Sequence, residues 1–295
     1  MEDDGFTMVK RKNNKKNNNI SKKGKQFLRR HHHNCLDDLL ALKNTINIGS
    51  IRIDSLNFLL EQIEKCCIDL QHYHYIEEVK CSMAKCFSSS TSFHFTSSSS
   101  SNSLQFHEIV CFGLGNFTSS IASLYQLALL VTMRTELNYC QKVIVYDPCF
   151  TQFEIESLQC PEIGFVVLDK NTDCRYEIND QDKNHDQNNT LSSSLSTLIF
   201  MPHMYAIHYN NLVESNWQKL NRVILFGNSF QHLLSTAITN ESNSDEHLNI
   251  KHSEFEYLDK LSKKQCYQIL EYLVPNRFTF NDIFNNLSIH RFIVN

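Results

Sequence analysis

Glycine and proline are scarce in this chain. It holds 7 glycines and 4 prolines among 295 residues, roughly a third of the share that both residues have in an average protein. Glycine and proline are needed where the backbone must adopt a conformation that other residues resist. We therefore expect the remaining ones to mark turns on which the fold depends.

Three further absences argue against whole classes of protein. The most apolar stretch, 124–131, is interrupted by a tyrosine and a glutamine, and no run reaches the roughly 18 residues that a membrane span needs. The N-terminal Met-Glu-Asp-Asp lacks the apolar segment of a secretory signal. The 11 cysteines include no C-x-x-C pair. We therefore expect reduced thiols in an intracellular protein, without disulfides, zinc ribbons or a membrane anchor.

The charge of the chain is distributed unevenly. Residues 1–33 carry a net charge of +7, so the chain's net charge of −4 leaves −11 for the rest. An acidic body argues against direct nucleic-acid binding by the folded core. The Lys/Arg clusters at 10–25 form either a nuclear-import signal or a solvated tail. We expect a cytoplasmic protein, with the nucleus as a second compartment.

The spacing of apolar residues divides the chain into parts. Leu56, Leu59 and Ile63 recur at helical spacing after the candidate caps Asp54 and Ser55, which predicts helices near the N-terminus. We predict a disordered basic tail at 1–34, a helical N-terminal segment packing on the core at 35–87, a Ser-rich insert at 88–103, and an α/β domain at 104–295 with polar inserts at 170–195 and 236–250.

Short β-rich runs alternate with helical patterns from residue 107 onward. Such alternation is typical of a parallel sheet that is covered on both faces. The predicted fold class is α/β, with a doubly wound, mostly parallel sheet in a Rossmann-like three-layer sandwich. A helix is predicted over 253–273 and an edge strand over 288–294. The other strands are predicted at 109–112, 143–146, 165–168, 198–201 and 223–226.

The scarce glycines and prolines cluster directly after these strands. The carboxyl ends of parallel strands share one edge of the sheet, here called the rim, where ligands of open α/β sheets bind. Polar side chains that follow the strands are therefore expected to be near neighbours. The predicted ligand-binding rim consists of Gly113, Gly115, Asn116, Asp147, His203, Gly227, Asn228 and Ser229.

The turn Gly113-Leu114-Gly115-Asn116 can present backbone N–H groups to an anion. However, Thr118 stands where a dinucleotide-binding fingerprint has its third glycine, and no P-loop lysine follows. Two interpretations stay open. The turn either binds a nucleotide or adenosyl-type ligand, or it is a tight turn that needs glycine for its geometry alone.

Asp147 and His203 are the candidate catalytic residues. Asp147 is a ribose ligand, a base or a helix cap, and His203 is a general base, a ligand contact, one metal ligand or a structural histidine. The spacing of the histidines supports no metal site, so none is expected. Ser229 lacks the G-x-S-x-G surroundings of a hydrolase nucleophile.

The turns also form an ordered set of motifs. These are Phe112-Gly-Leu-Gly-Asn-Phe117, Val145-Tyr-Asp-Pro148, Met201-Pro-His203, Gly227-Asn-Ser-Phe230 and Ser288-Ile-His290. Together they resemble the motifs of the SRR-like ("sensitivity to red light reduced") family, although Met204 stands where that family often has cysteine. The resemblance covers 105–232 well and the flanks loosely.

The resemblance implies a regulatory role. In plants the family is linked to light signalling and circadian timing, and in animals to clock-gene expression and haem biosynthesis. It implies no established reaction, so it assigns no catalytic residues and no cofactor to this chain.

Two hypotheses about function follow. In the first, the chain is a regulatory protein whose rim binds a protein partner or a small molecule without catalysis. In the second, it is a Rossmann-like enzyme with a nucleotide or adenosyl-type cofactor, Asp147 on the ribose and His203 as base. The incomplete phosphate fingerprint favours the first, whereas the crowding of polar residues on the rim favours the second.

Overall fold

The structure is a computed structural model that describes residues 52–88, 106–137, 142–178, 196–233, 255–278 and 282–295. The predicted basic tail and all but one residue of the predicted Ser-rich insert lie outside these ranges. So do residues 179–195 and the polar insert predicted at 236–250. The predicted domain boundaries therefore stay a prediction.

Five parallel strands and an antiparallel pair form one sheet in the order β3-β2-β1-β4-β5-β7-β6. β1 to β5 are parallel to one another, and β7 runs antiparallel to both β5 and β6. The predicted doubly wound, mostly parallel sheet is confirmed, and the direction of winding reverses between β1 and β4. The strands are β1 (Phe106–Phe112), β2 (Lys142–Tyr146), β3 (Val166–Val167), β4 (Ser196–Met201), β5 (Val223–Asn228), β6 (Tyr267–Leu273) and β7 (Leu287–Val294).

Helices cover both faces of the sheet and complete the predicted three-layer sandwich. In β1, Ile109 and Cys111 face one apolar core, whereas Val110 and Phe112 face the other. Helices α1 to α4 line the first core, and α5 and α6 line the second. In the described ranges no helix is long and apolar enough to cross a membrane. The helices are α1 (Leu56–His72), α2 (Tyr75–Ser88), α3 (Ile121–Glu136), α4 (Gln152–Gln159), α5 (Ala206–Ser215) and α6 (Glu256–Ser262).

The first helix begins where the sequence indicates. The Ser55 hydroxyl accepts a hydrogen bond from the Phe58 N–H at 3.4 Å, as an N-cap should. Leu59, Ile63 and Leu70 recur along the buried side of α1. Helix α1 packs on α3, and α2 contacts β6 and β7.

The helix predicted over 253–273 is wrong in its second half. Helix α6 ends at Ser262, and residues 267–273 form β6 instead. Lys264 and Cys266 lie at positive φ angles of 53° and 65°, which end the helix and start a new direction. The apolar residues of 267–273 fit both a helical and a strand spacing, so spacing alone did not distinguish the two.

The strand predicted over 288–294 exists, but it is not at the edge. β7 lies between β5 and β6, and β6 forms the edge of the sheet. The prediction missed its inner position because it assigned β6, its outer partner, to a helix. Between β4 and β5, helix α5 is followed by a short 3-10 helix at Trp217–Arg222.

An aromatic cluster joins α2, α3 and the connection between β6 and β7. Tyr75 stacks on Phe284, with ring centroids 4.4 Å apart and planes 17° from parallel. Tyr125 contacts Phe278 edge to face at 5.0 Å. Tyr75 is buried, and its hydroxyl has no hydrogen-bond partner within the part of the chain that the structure describes. A buried hydroxyl without a partner destabilises the fold.

Replacing Tyr75 with phenylalanine should therefore stabilise the protein. We expect Tyr75→Phe to raise the free energy of unfolding by up to about 1 kcal/mol, because it removes an unsatisfied polar group from an apolar site. Urea unfolding measures the change. Tyr209→Phe is the matched control, since the Tyr209 hydroxyl donates to the Met201 carbonyl and accepts from the Asn228 N–H at 2.8 Å. The control should lower the free energy of unfolding by about 1–3 kcal/mol, and equal effects of the two substitutions would contradict the prediction.

Candidate functional site

The glycine turn after β1 requires glycine for two separate reasons. Gly113 and Gly115 have φ angles of +77° and +76°, which side chains resist. A Cβ atom on Gly113 would lie 2.1 Å from Met204 Sδ, and one on Gly115 would lie 2.5 Å from Ser123 Oγ. A residue with a side chain would be strained at either position, and the Met204 or Ser123 side chain would have to shift to make room for it.

Asp147, at the end of β2, occupies the place where the turn would bind an anion. Its carboxylate accepts hydrogen bonds from the Gly115 N–H at 2.7 Å and from the Cys149 N–H at 2.8 Å. The side chain is buried. A carboxylate in this position supplies the negative charge that such turns attract.

A second carboxylate, that of Glu154, was missed by the sequence analysis and also accepts hydrogen bonds from backbone N–H groups. Glu154 is fully buried, and its carboxylate accepts the N–H groups of Thr118 and Thr151, both at 2.9 Å. Thr151 and Glu154 also form a capping box at the start of α4. The T-x-x-E spacing at 151–154 was the signal that could have found it.

The Asn116 side chain stays within its own turn. Its amide oxygen accepts the hydroxyls of Thr118 at 3.0 Å and Ser119 at 2.6 Å. Asn116 thus stabilises the turn that leads to the Ser120 cap of α3.

His203 lies after β4 in a left-handed conformation, with φ of +56°. Its N–H donates to the Asn228 amide oxygen at 2.7 Å, and Asn228 Nδ2 donates to the Met204 carbonyl at 3.2 Å. His203 Nε2 is 2.7 Å from the Ile283 carbonyl oxygen. Because a carbonyl only accepts, Nε2 carries the hydrogen in this contact.

Gly227 and Ser229 complete the second part of the rim. A Cβ on Gly227 would lie 2.7 Å from the Tyr209 hydroxyl, so this glycine makes room for a buried tyrosine that the sequence analysis did not single out. The Ser229 N–H donates to the Asn286 carbonyl at 2.8 Å, and its hydroxyl accepts the His232 N–H at 3.3 Å.

The predicted rim residues therefore form two groups. Gly113, Gly115, Asn116 and Asp147 make the first, and His203, Gly227, Asn228 and Ser229 make the second. Met204 joins them, because its side chain lies against Gly113 while its carbonyl binds Asn228. Catalytic and ligand-binding roles for these residues stay predictions.

The electrostatics of the rim disfavour further anions and thiolates. An anion at the glycine turn would meet the carboxylates of Asp147 and Glu154, which already accept the N–H groups of Gly115 and Thr118. The Asp147 carboxylate, and burial to a lesser degree, raise the pKa of the exposed Cys149 thiol. Burial, followed by the Asp147 charge, raises the pKa of Cys111. No group of three His, Cys, Asp or Glu side chains in the described ranges is placed to hold a metal ion.

One exposed aromatic residue on the rim was not among the predicted site residues. Tyr205 is 78% exposed and lies 6.1 Å from the His208 ring. It occupies the N-cap position of α5 without a side-chain hydrogen bond to the helix, where serine or aspartate is usual. Sequence alone gave no signal for its exposure.

Comparison with known proteins gives a consistent group of relatives. A family model described as the SRR1 domain matches residues 70–291. An SRR1-like protein of Mus musculus is 35% identical over 130 residues, which cover 42% of this chain and 45% of that protein. Protein SENSITIVITY TO RED LIGHT REDUCED 1 of Arabidopsis thaliana is 31% identical over 127 residues, or 42% and 40% of the two chains.

These matches are partial. An SRR1-like protein of Drosophila melanogaster is 24% identical over 188 residues, 62% of this chain and 54% of that protein. The chain thus spans about half the length of the curated relatives it matches. A crystal structure from Thermoplasma acidophilum covers 82% of this chain and 98% of its own, with 11% identity and a TM-score of 0.30.

The glycine turn gives a prediction about packing. Gly113→Ala should lower the free energy of unfolding by about 2–4 kcal/mol, because it adds a clash with Met204 to the strain of a positive φ. Gly164→Ala is the control, since Gly164 has a φ of +64° but its Cβ would meet nothing closer than 3.6 Å. The free energy of unfolding of Gly164→Ala should fall by only about 1 kcal/mol. Adding Met204→Ala to Gly113→Ala should restore part of the loss, and purely additive effects in urea unfolding would contradict the clash.

The left-handed conformation of His203 gives a second prediction. His203→Ala and His203→Gly both lose the contact with Ile283, but only glycine relieves the strain of the positive φ. We expect His203→Gly to be more stable than His203→Ala by about 1 kcal/mol, measured by thermal unfolding. At His208, inside α5, the order should reverse, because glycine weakens a helix. The same order at both histidines would show that the conformation of His203 is not strained.

Proposed function

Because the chain belongs to the SRR1 domain family, we propose that it is an intracellular regulatory protein of light signalling and circadian timing, which acts by binding a partner at its rim. The family match over residues 70–291 carries this proposal, since it includes every predicted rim residue. The name of the Arabidopsis relative, which records a reduced sensitivity to red light, supports the pathway. Regulation of haem biosynthesis is a second pathway that the resemblance implies.

The occupied glycine turn supports binding without catalysis. The Gly115 N–H donates to Asp147, and the Thr118 N–H just beyond the turn donates to Glu154, so two of the groups that could grip a phosphate are already satisfied within the chain. Among the side chains that the rim exposes to solvent are those of His203 and Tyr205. Tyrosine is enriched at the centre of protein interfaces, where it combines a large apolar ring with a polar end. A protein partner is therefore the ligand that this surface suits best.

The cytoplasm, with access to the nucleus, is the proposed location. The basic clusters at 10–25 support nuclear import. The acidic remainder of the chain supports a protein partner over direct nucleic-acid binding by the folded core.

The enzyme hypothesis retains one observation in its favour. His203 is strained and stands beside the point where the strand order reverses, the usual place for a ligand in such a sheet. If the chain were such an enzyme, Asp147 would have to break its hydrogen bonds with the Gly115 and Cys149 N–H groups before it could bind a ribose. Native mass spectrometry separates the two hypotheses. A stoichiometric added mass that His203→Ala loses would favour the enzyme, and a bare chain mass would favour the regulator.

A complementation experiment tests the proposed pathway and the proposed surface together. The chain is expressed in an Arabidopsis line that lacks the relative, and seedling growth under red light is measured. We expect the unaltered chain to restore the response and Tyr205→Ala to lose most of it at equal protein level, because truncating a central interface tyrosine lowers affinity about tenfold or more. Leu273→Ala, which changes an apolar residue that is 61% exposed on β6, is the control and should restore the response fully.

Failure of the unaltered chain would contradict the pathway. Full restoration by Tyr205→Ala would contradict the surface. Haem content measured in the same plants tests the second pathway. If the chain regulates haem biosynthesis, haem content should be altered in the line that lacks the relative, and the unaltered chain should restore it.

A further inference from the structure

A polar cluster lies where the turn after β5 meets the antiparallel strands. Its members are Glu271 of β6, Ser288 and His290 of β7, and Ser229 of the turn. The register of the sheet places Glu271 opposite His290, and His290 opposite Leu225 of β5. Because direct partners on neighbouring strands project to the same face, the sheet itself brings the Glu271 and His290 side chains together.

His290 is fully buried and held on two sides. Its Nδ1 is 3.2 Å from the Leu225 carbonyl oxygen, so Nδ1 carries a hydrogen. The Phe230 ring packs edge to face against the imidazole at 4.7 Å and 88°. These contacts aim Nε2 at Glu271, where it lies 3.7 Å from Oε1. That distance is too long for a hydrogen bond but places the two groups side by side.

Glu271 receives contacts from two other elements, β7 and the turn at 229–231. Burial by itself would raise its pKa, but contacts with His290, Ser229 and Ser288 lower the pKa to about 2. Oε2 also accepts the Gln231 N–H at 3.3 Å. The carboxylate therefore stays ionised at neutral pH and connects β6, β7 and the turn at 229–231.

That turn continues directly into the rim. Asn228, the last residue of β5, binds the His203 N–H and the Met204 carbonyl. On the other side, the Ser229 N–H binds the Asn286 carbonyl at 2.8 Å. The position of Ser229 thus affects the segment that presents Tyr205.

We infer that Glu271 is a positioning residue of the rim, which fixes the turn at 229–231 and through Asn228 the segment 203–205. The inference rests on the proposed function in so far as the rim is the binding surface. Glu271 touches no ligand in this proposal. It acts on the rim only through the hydrogen bonds and charges of the cluster.

Amide hydrogen exchange of the full chain tests the positioning. In Glu271→Ala we expect exchange at 229–233 and 203–205 to rise about tenfold or more, because a hydrogen bond to a charged group is lost, while β1 amides stay within twofold. Glu271→Gln should have a smaller effect, since its amide oxygen still accepts from Gln231. Glu136→Gln is the matched control. Glu136, at the end of α3, also forms an ion pair, but its partner is Lys80 of α2 and not a residue of the polar cluster. The Glu136→Gln substitution should leave the rim amides unchanged.

The pH dependence of stability separates charge from shape. Because the pKa of Glu271 is lowered from 4.5 to about 2 on folding, its ionised form stabilises the protein fully above about pH 4.5, and this contribution is lost as the pH falls towards 2. The difference in unfolding free energy between the unaltered chain and Glu271→Gln should therefore be constant near neutral pH and shrink below pH 4.5. A difference that does not change with pH would show that only the shape of the side chain matters, and would overturn the inference.

Two other results would overturn it. One is exchange at 229–233 that changes less than twofold in Glu271→Ala, and the other is exchange that rises equally in β1, which would indicate a general loss of stability. If the rim amides respond as expected while the Tyr205→Ala chain restores red-light growth, the positioning role stands and the proposed binding surface fails. The two ideas are thus tested separately.

Discussion

The hydrogen bonds of the Asp147 carboxylate hold the first group of rim residues in its shape. They join the turn after β1 to the end of β2 through the Gly115 N–H, and they order the next turn through the Cys149 N–H. The positive φ angles of Gly113 and Gly115 exist within this arrangement, and Met204 packs in the space that the missing Gly113 side chain leaves. A turn of this kind attracts negative charge, and here a side chain of the same chain supplies it.

Burying two carboxylates is costly unless their hydrogen bonds are satisfied. Asp147 and Glu154 take part in no ion pair within the described residues, and backbone N–H groups satisfy them instead. This internal neutralisation changes what the carboxyl end of the sheet can recognise. In place of those N–H groups, the proposed binding surface offers exposed side chains such as Tyr205.

Local patterns determined most of what the sequence analysis predicted correctly. The five parallel strands and the helices between them were predicted from apolar runs bounded by scarce glycines and prolines. Ser55 caps α1, as predicted. The strand at 267–273 could not be distinguished because its apolar residues fit two spacings, and its partner β7 lies 14 residues further along. The carboxylates of Asp147 and Glu154 accept N–H groups 32 and 36 residues away in the chain. The T-x-x-E spacing at 151–154 indicates the cap that Glu154 makes with Thr151, but no local pattern indicates these distant contacts.

The place of β7 has a consequence for how the sheet is assembled during synthesis. β7 is the last described strand along the chain, yet it lies between β5 and β6. It also contacts α2, where the Cys86 thiol donates a hydrogen bond to the Ile289 carbonyl, 203 residues further along the chain. β6 therefore leaves the ribosome before it has anything to pair with, and the edge of β5 stays open until β7 arrives. An open strand edge is a site for aggregation, so this fold should depend on chaperones during the interval between the synthesis of β5 and that of β7.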